Sequence, residues 1–361
     1  MRFTKTRISD AELPYAISVL RILGRDRVVM ASEGPGPALV LDDDLVPRVL
    51  ANGQGGSMGS APYPGHDDHL FMVTGFLPVF QSEGAGIDLC YAVDGFSTPW
   101  NQHRIIDLPF VHRIATVAFG GATILIAATV CGGKEYRDDW SKPGAVYAIP
   151  IPASPEGPWK PVTIAGGIHR NHGLNVASLD GETLLLITGD EGVFAWRDPA
   201  VDLADAGVDD SAGAVGGASA ADLADWKPEK ILDAPISEIG AIDIDGDGAD
   251  ELVAVEPFHG KSLALYHRSV DGWSCVDRQP LDFGHGLSVG MLGDTPVAVV
   301  GNRAGSSDLL CFTWDSDRKL LARHVVESGV GTAGTTVFSD FIVASNPNTN
   351  EYARYDLEAS E

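Results

Sequence analysis

The chain has 361 residues, with 25 Lys and Arg against 50 Asp and Glu, a formal charge of −25. That balance disfavours nucleic acid and anionic membrane surfaces, so neither is expected as a partner. Gly (42) and Pro (22) are abundant, and short apolar runs recur between turn signals, a pattern of many short strands rather than helices. No apolar run approaches the length of a membrane helix. The four cysteines (Cys90, Cys131, Cys275, Cys311) lack C-x-x-C spacing and are expected to be buried free thiols. Met1 to Asp10 contains no apolar export segment, and a cytoplasmic location is expected.

In chain order, one pattern repeats: a strand, a short Gly/Asp turn and a second strand. The units span about 12–41, 54–94, 109–150, 166–197, 234–268, 282–315 and 328–357. The first runs from Ile17 to Leu23, turns at Gly24 and returns from Arg27 to Ala31. The second is the least regular, with His66 to His69 where the turn is expected. The third pairs Ile114–Phe119 with Thr123–Val130 across Gly120-Gly121, and the fourth pairs Leu174–Leu179 with Thr183–Thr188 across Asp180-Gly181. Residues 198–230, rich in Ala, Asp and Gly, carry no strand pattern and are expected to be a flexible acidic insertion. The fifth unit holds Ser237–Ile242 and Leu252–Glu256, the sixth Leu287–Leu292 and Pro296–Val300, the seventh Thr335–Phe338 and Phe341–Ser345. A third strand follows in most units. A sandwich or barrel also yields short strands, but the repeated order of elements predicts an all-β, single-domain, seven-bladed β-propeller.

The turn of the fifth unit, D-I-D-G-D-G-A-D-E, places carboxylates at its positions 1, 3, 5 and 9, with Gly248 at the bend. Asp243, Asp245, Asp247 and Glu251, with the Ala249 carbonyl, form an oxygen set suited to Ca²⁺. An EF-hand would need a Glu at position 12, where Ala254 stands inside an apolar run. The loop therefore joins two strands.

Aligning first strands on their turns brings His112, His172, Glu238 and His285 to one register, one step ahead of the strand. First strands of propeller blades line the central channel, so these side chains are expected to converge on the axis. Three imidazoles and a carboxylate suit a divalent ion, Zn, Mn, Fe or Mg, although the same groups also make a metal-free polar pocket. The matching positions in the other units are approximately Ala16, Met58 and Gly331. The acidic turn is expected on the opposite face, as a structural staple.

Loops after second strands share the face of the ring. Lys134, Arg137, Asp138, Asp139, Trp140 and Arg303 are candidate substrate-binding residues; Lys134 to Asp139 could equally be held in their own ion pairs. His169, His259 and Tyr136 are candidate proton carriers.

The acidic turn resembles the D-x-D-G-D-G-x-x-[DE] signature of FG-GAP or VCBS-type propeller repeats. The set HRIATV, HRNHGLNVASLDG, IGAIDIDGDGADELVAVEPFHG and GGKEYRDDWSKPGAVY resembles the propeller domain of aldos-2-ulose dehydratase and related bacterial proteins. The resemblance covers the propeller only, without the cupin-like domains of the fungal members. It implies a metal-dependent lyase (dehydratase) or isomerase acting on a keto-sugar or similar small carbohydrate through an enediolate. Two other functions stay open: a calcium-stabilised propeller that binds a glycan or protein without chemistry, and a sugar lactonase-type hydrolase.

Overall fold

A computed structural model describes residues 1–199 and 219–358. Seven four-stranded antiparallel sheets are arranged as the blades of a propeller. The innermost strands are β2 (Pro14–Ile22), β6 (Gly59–Tyr63), β10 (Val111–Phe119), β14 (Leu174–Leu179), β18 (Glu238–Ile242), β22 (Gly284–Leu292) and β26 (Gly334–Val337). The second strands are β3 (Arg25–Ser32), β7 (His66–Thr74), β11 (Ala122–Thr129), β15 (Glu182–Gly189), β19 (Glu251–Glu256), β23 (Thr295–Asn302) and β27 (Phe341–Asn346). Neighbouring blades cover these on both faces, which is why β19, for one, is buried along its whole length and reads as a continuous apolar run.

Third strands, from β4 (Ala38–Leu41) and β8 (Gly86–Tyr91) to β20 (Ser262–Ser269) and β28 (Glu351–Leu357), are followed by a fourth, outermost strand in each blade. The fourth strand of the fifth blade, β21 (Gly272–Pro280), alternates exposed and half-buried positions along its nine residues. Such edge strands present one face to solvent, so their weak apolar signal blends with the loops. In the seventh blade the outermost strand is β1 (Phe3–Asp10), which pairs antiparallel with β28. The first strand of the chain thus closes the ring, held also by Lys5 Nζ, which lies 2.6 Å from Glu351 and 2.9 Å from Glu327.

Two expectations are corrected. The second blade turns at Pro64-Gly65, where Gly65 has φ 76°, and His66 to His69 open β7 instead of forming the turn. Of the expected flexible insertion, 200–218 lies outside the described residues, but its end is structured. There the helix α1 (Ala220–Asp225) starts from a capping box between Ser219 and Asp222. Leu223 and Trp226 are buried against Phe119 and Trp196 of the third and fourth blades. The apolar pair that fixes this segment is Leu223 and Trp226, spaced for one turn of helix.

Candidate metal centre and axial cavity

The entry of each innermost strand sets the site. In six blades a residue with left-handed backbone precedes the axial residue by two positions: Leu13 (φ 47°) before Tyr15, Gly56 (62°) before Met58, Phe110 (61°) before His112, Arg170 (48°) before His172, Phe283 (61°) before His285 and Gly331 (62°) before Ala333. The fifth blade, which carries Glu238, has no such residue ahead of it. Four of the six are bulky side chains in a conformation that favours glycine, and such cost persists where the surroundings over-determine it. Strand pairing also slips at Tyr15, His112 and beyond His285, a bulge that turns the axial side chain toward the channel.

Two glycines keep the ring tight. A Cβ on Gly173 would meet Thr188 Oγ1 and the Ser237 carbonyl. Gly286 has φ 64°, and a Cβ there would lie 2.5 Å from the Ala333 carbonyl. The His-Gly pairs at 172–173 and 285–286 are therefore backbone requirements of close blade contact.

Around the axis, His112, His172 and His285 are buried, with His172 adjacent to both of the others. Ring centroids are 4.5 Å apart for His112–His172 and 5.1 Å for His172–His285. His259, from the loop after β19, completes the cluster 5.3 Å from His172 and 5.5 Å from His285. One nitrogen from each of His172, His259 and His285 lies within 4.8 Å of the other two, close enough to share one metal ion.

Hydrogen bonding assigns the nitrogens. His172 Nδ1 lies 3.0 Å from Glu238 Oε1, with Ser237 Oγ at 3.4 Å, so its proton sits there and leaves Nε2 as a lone pair. That Nε2 is buried without any partner. His285 Nδ1 donates to the Ala333 carbonyl at 2.6 Å. Burial first, then the neighbouring His172, holds His285 well below the ordinary imidazole range and His259 down at about 2. These are neutral imidazoles, the form that ligates a cation.

Two expected ligands take other roles. Glu238 is not in the converging set: its carboxylate is taken by His172 and by Arg113 Nη2 at 3.1 Å. Burial alone would raise its carboxyl, but Arg113, then His172, outweigh that and hold it at about 2. His112 is likewise outside the set. Its Nε2 lies 3.2 Å from the Tyr15 hydroxyl, which is also 3.2 Å from His285 Nε2. Burial pushes the Tyr15 phenol up to about 12, so it stays a proton donor with two imidazole acceptors. Register alone missed Tyr15, because the bulge at this strand moves the axial position one residue ahead of Ala16.

Above this layer is a cavity of about 230 Å³ lined by Tyr15, Glu33, His112, His259, His285 and two arginines, Arg137 and Arg303, with Phe76, Phe80 and Phe283 as apolar walls. Tyr15 and Met58 separate it from a larger chamber of about 450 Å³ down the channel, lined by Ser18, Ser60, Asn175 and Ser288.

Only two of the six expected substrate residues, Arg137 and Arg303, line the upper cavity. Lys134 is held in its own loop: Nζ donates to the Arg137 and Asp139 carbonyls, both at 2.9 Å, and sits 3.2 Å from the Trp140 ring centroid. Asp139 accepts from Ser141 and Glu135, and Asp138 is exposed. Trp140 backs the wall against Phe80 and Phe258. Two expected proton carriers lie elsewhere. Tyr136 is 63% exposed, and His169 pairs with Glu191 at 2.7 Å; neither lines the cavity.

At the other end of β18, Asp243, Asp245 and Asp247 form a second converging group, and Asp245 and Glu251 meet His267 in a third. Burial first, then the charges of Asp245 and Asp247, pushes Glu251 up to about 7. The turn docks on its neighbour through the Asp180 and Asp250 backbone amides, each bonded to the other's carboxylate.

The chain is a seven-bladed β-propeller with a histidine-lined axial cavity. No protein-family model matches it, and no curated protein matches it. Solved structures share its fold at low identity. Virginiamycin B lyase from Staphylococcus aureus matches with a TM-score of 0.58 at 9% identity over 99% of each chain. A 6-phosphogluconolactonase-like protein from Bacteroides fragilis gives 0.54 at 13%, covering 97% of this chain and 92% of that one. A chain of the Mitotic Checkpoint Complex gives 0.57 at 10%, covering 99% and 94%. So wide a range of functions on one architecture leaves function to the site.

Proposed function

We propose that the chain is a metal-dependent enzyme, a lyase (dehydratase) or isomerase that acts on a keto-sugar or similar small carbohydrate through an enediolate. The observation that carries it is the converging trio His172, His259 and His285, with the His172 Nε2 lone pair buried and unpartnered. A lone pair in that state costs free energy unless a cation takes it. These three imidazoles would hold a divalent cation, Zn, Mn, Fe or Mg, with nitrogen donors favouring Zn or Fe over Mn or Mg. Such an ion supplies Lewis acidity to a carbonyl and its neighbouring hydroxyl.

The rest falls to the chain's own residues. Glu238 fixes the His172 tautomer, and Arg113 keeps Glu238 charged. Tyr15 and His112 form a proton-carrying pair on the cavity floor, phenol as donor and neutral imidazole as acceptor. Phe76, Phe80 and Phe283 exclude water around the reacting atoms. The cavity volume suits a single sugar ring. The likeness to the aldos-2-ulose dehydratase propeller rests on sequence motifs and agrees with this chemistry. The acidic turn is read as a calcium staple built by Asp243, Asp245, Asp247, the Ala249 carbonyl and Glu251, away from the axial site.

Incubation of metal-loaded protein with keto-sugars in D₂O tests the reading. Solvent deuterium at the α-carbon, abolished by a chelator, is expected. An unsaturated product marks a lyase, and exchange without elimination marks an isomerase. Lactone opening in place of exchange would mark a hydrolase, and no turnover of either would leave a binding module.

A further inference from the structure

Exposed Arg137 and half-buried Arg303 line one cavity, and no protein group among the described residues accepts from either guanidinium. Arg303 approaches one carboxylate, Glu33, but Nη1 stays 3.8 Å away, beyond hydrogen-bond reach. Arg137 has no carboxylate within ion-pair distance among the described residues, although its charge is felt by the Glu33 carboxyl. Below them Arg113 and Glu238 cancel each other. The upper cavity thus holds two guanidinia against one carboxylate, an excess of positive charge on a chain whose net charge is −25. Neutral sugar hydroxyls need no such excess. A planar fork of unbonded N–H donors matches a carboxylate or phosphate.

Resting on the catalytic reading above, we infer that the substrate of the axial site is anionic, a small polyhydroxy compound bearing one carboxylate or phosphate that Arg137 and Arg303 clamp. The anionic end sits under these arginines, in the loops after β11 and β23, and its carbonyl end reaches the histidines. Glu33 competes for Arg303 while the cavity is free of substrate.

The test is calorimetric titration of the full chain after chelator treatment, near pH 7.5. The probes are inorganic phosphate, D-gluconate and the neutral D-fructose. Binding of phosphate or gluconate, but not of fructose, is expected, and whichever anion binds identifies the group. Arg137→Met and Arg303→Met should each weaken it at least about tenfold, the scale of a lost charge-assisted hydrogen bond. Glu33→Gln should tighten it several-fold, an effect opposite in sign to damage from misfolding. Fructose binding as well as the anions, no anion binding, or anion affinity unchanged in both arginine variants and in Glu33→Gln would overturn the inference. Since the titrated protein carries no metal, failure of the metal centre would not alter this result. Metal binding without anion binding would remove the anionic substrate alone.

Discussion

His172 Nδ1 and Glu238 Oε1 lie 3.0 Å apart, across the junction of the fourth and fifth blades. This contact fixes which nitrogen of His172 carries the proton, and it leaves Glu238, an expected ligand, engaged with His172 and Arg113. Glu238→Gln retains an oxygen acceptor but loses the charge. It should weaken metal affinity about tenfold, and Glu238→Ala about 100-fold, as for other carboxylates behind a ligating histidine. Competition with a chromogenic chelator measures both.

Tyr15 is expected to serve turnover and not metal binding. Its phenol lies 3.2 Å from both His112 Nε2 and His285 Nε2, and a metal on the His285 lone pair would leave His112 as its acceptor. Tyr15→Phe should lower kcat about 100-fold, within the range of a lost general acid, with metal content unchanged. Tyr136→Phe and His169→Gln, both outside the cavity, should leave kcat/KM within about twofold. Steady-state kinetics with parallel metal analysis separates these cases.

Gly173 is expected to be irreplaceable for reasons of space. Alanine would press its methyl into Thr188 Oγ1 and the Ser237 carbonyl, at the point where His172 is held. A loss of about 1–3 kcal/mol is expected, together with weaker metal binding. Gly166, in the strand Val162–Ile168, has open space where an alanine methyl would lie, with no atom within 4 Å. Gly166→Ala should therefore stay within about 0.5 kcal/mol of the native chain. Urea unfolding of the two variants gives the comparison.

Ring closure should depend on pH through Glu351. Burial would raise its carboxyl, but hydrogen bonds from Lys5 and Thr349 and the charges of Lys5 and Arg7 prevail and lower it. A depressed carboxyl stabilises the fold above its unfolded value of about 4.3 and loses that contribution as pH falls through the folded value. Glu351→Gln should therefore be less stable than the native chain at pH 7, and the gap should narrow as pH falls through the lowered carboxyl's range. Urea midpoints across that pH range check it.

The repeat of strand, turn and strand was legible because second strands are buried on both faces and read as apolar runs, as Leu252 to Val255 does. Outer strands such as β21 were hidden by their alternation, and β1 by its distance from the β28 strand it pairs with. At the site, His172 and His285 stood out through their shared register. Tyr15 did not, because a bulge shifts it by one position, and Glu33 did not, because a lone acid in a loop has no local signature. Glu238 has the right register but spends its carboxylate on Arg113 and His172, a choice that only the neighbouring blades determine.

Metal analysis of protein purified without an affinity tag bears most directly on the axial centre. About one transition metal per chain is expected, lost in His172→Ala, His259→Ala and His285→Ala and kept in Asp245→Ala. Calcium as the sole metal, or a transition metal that survives all three histidine substitutions, would contradict a metal centre on the axis.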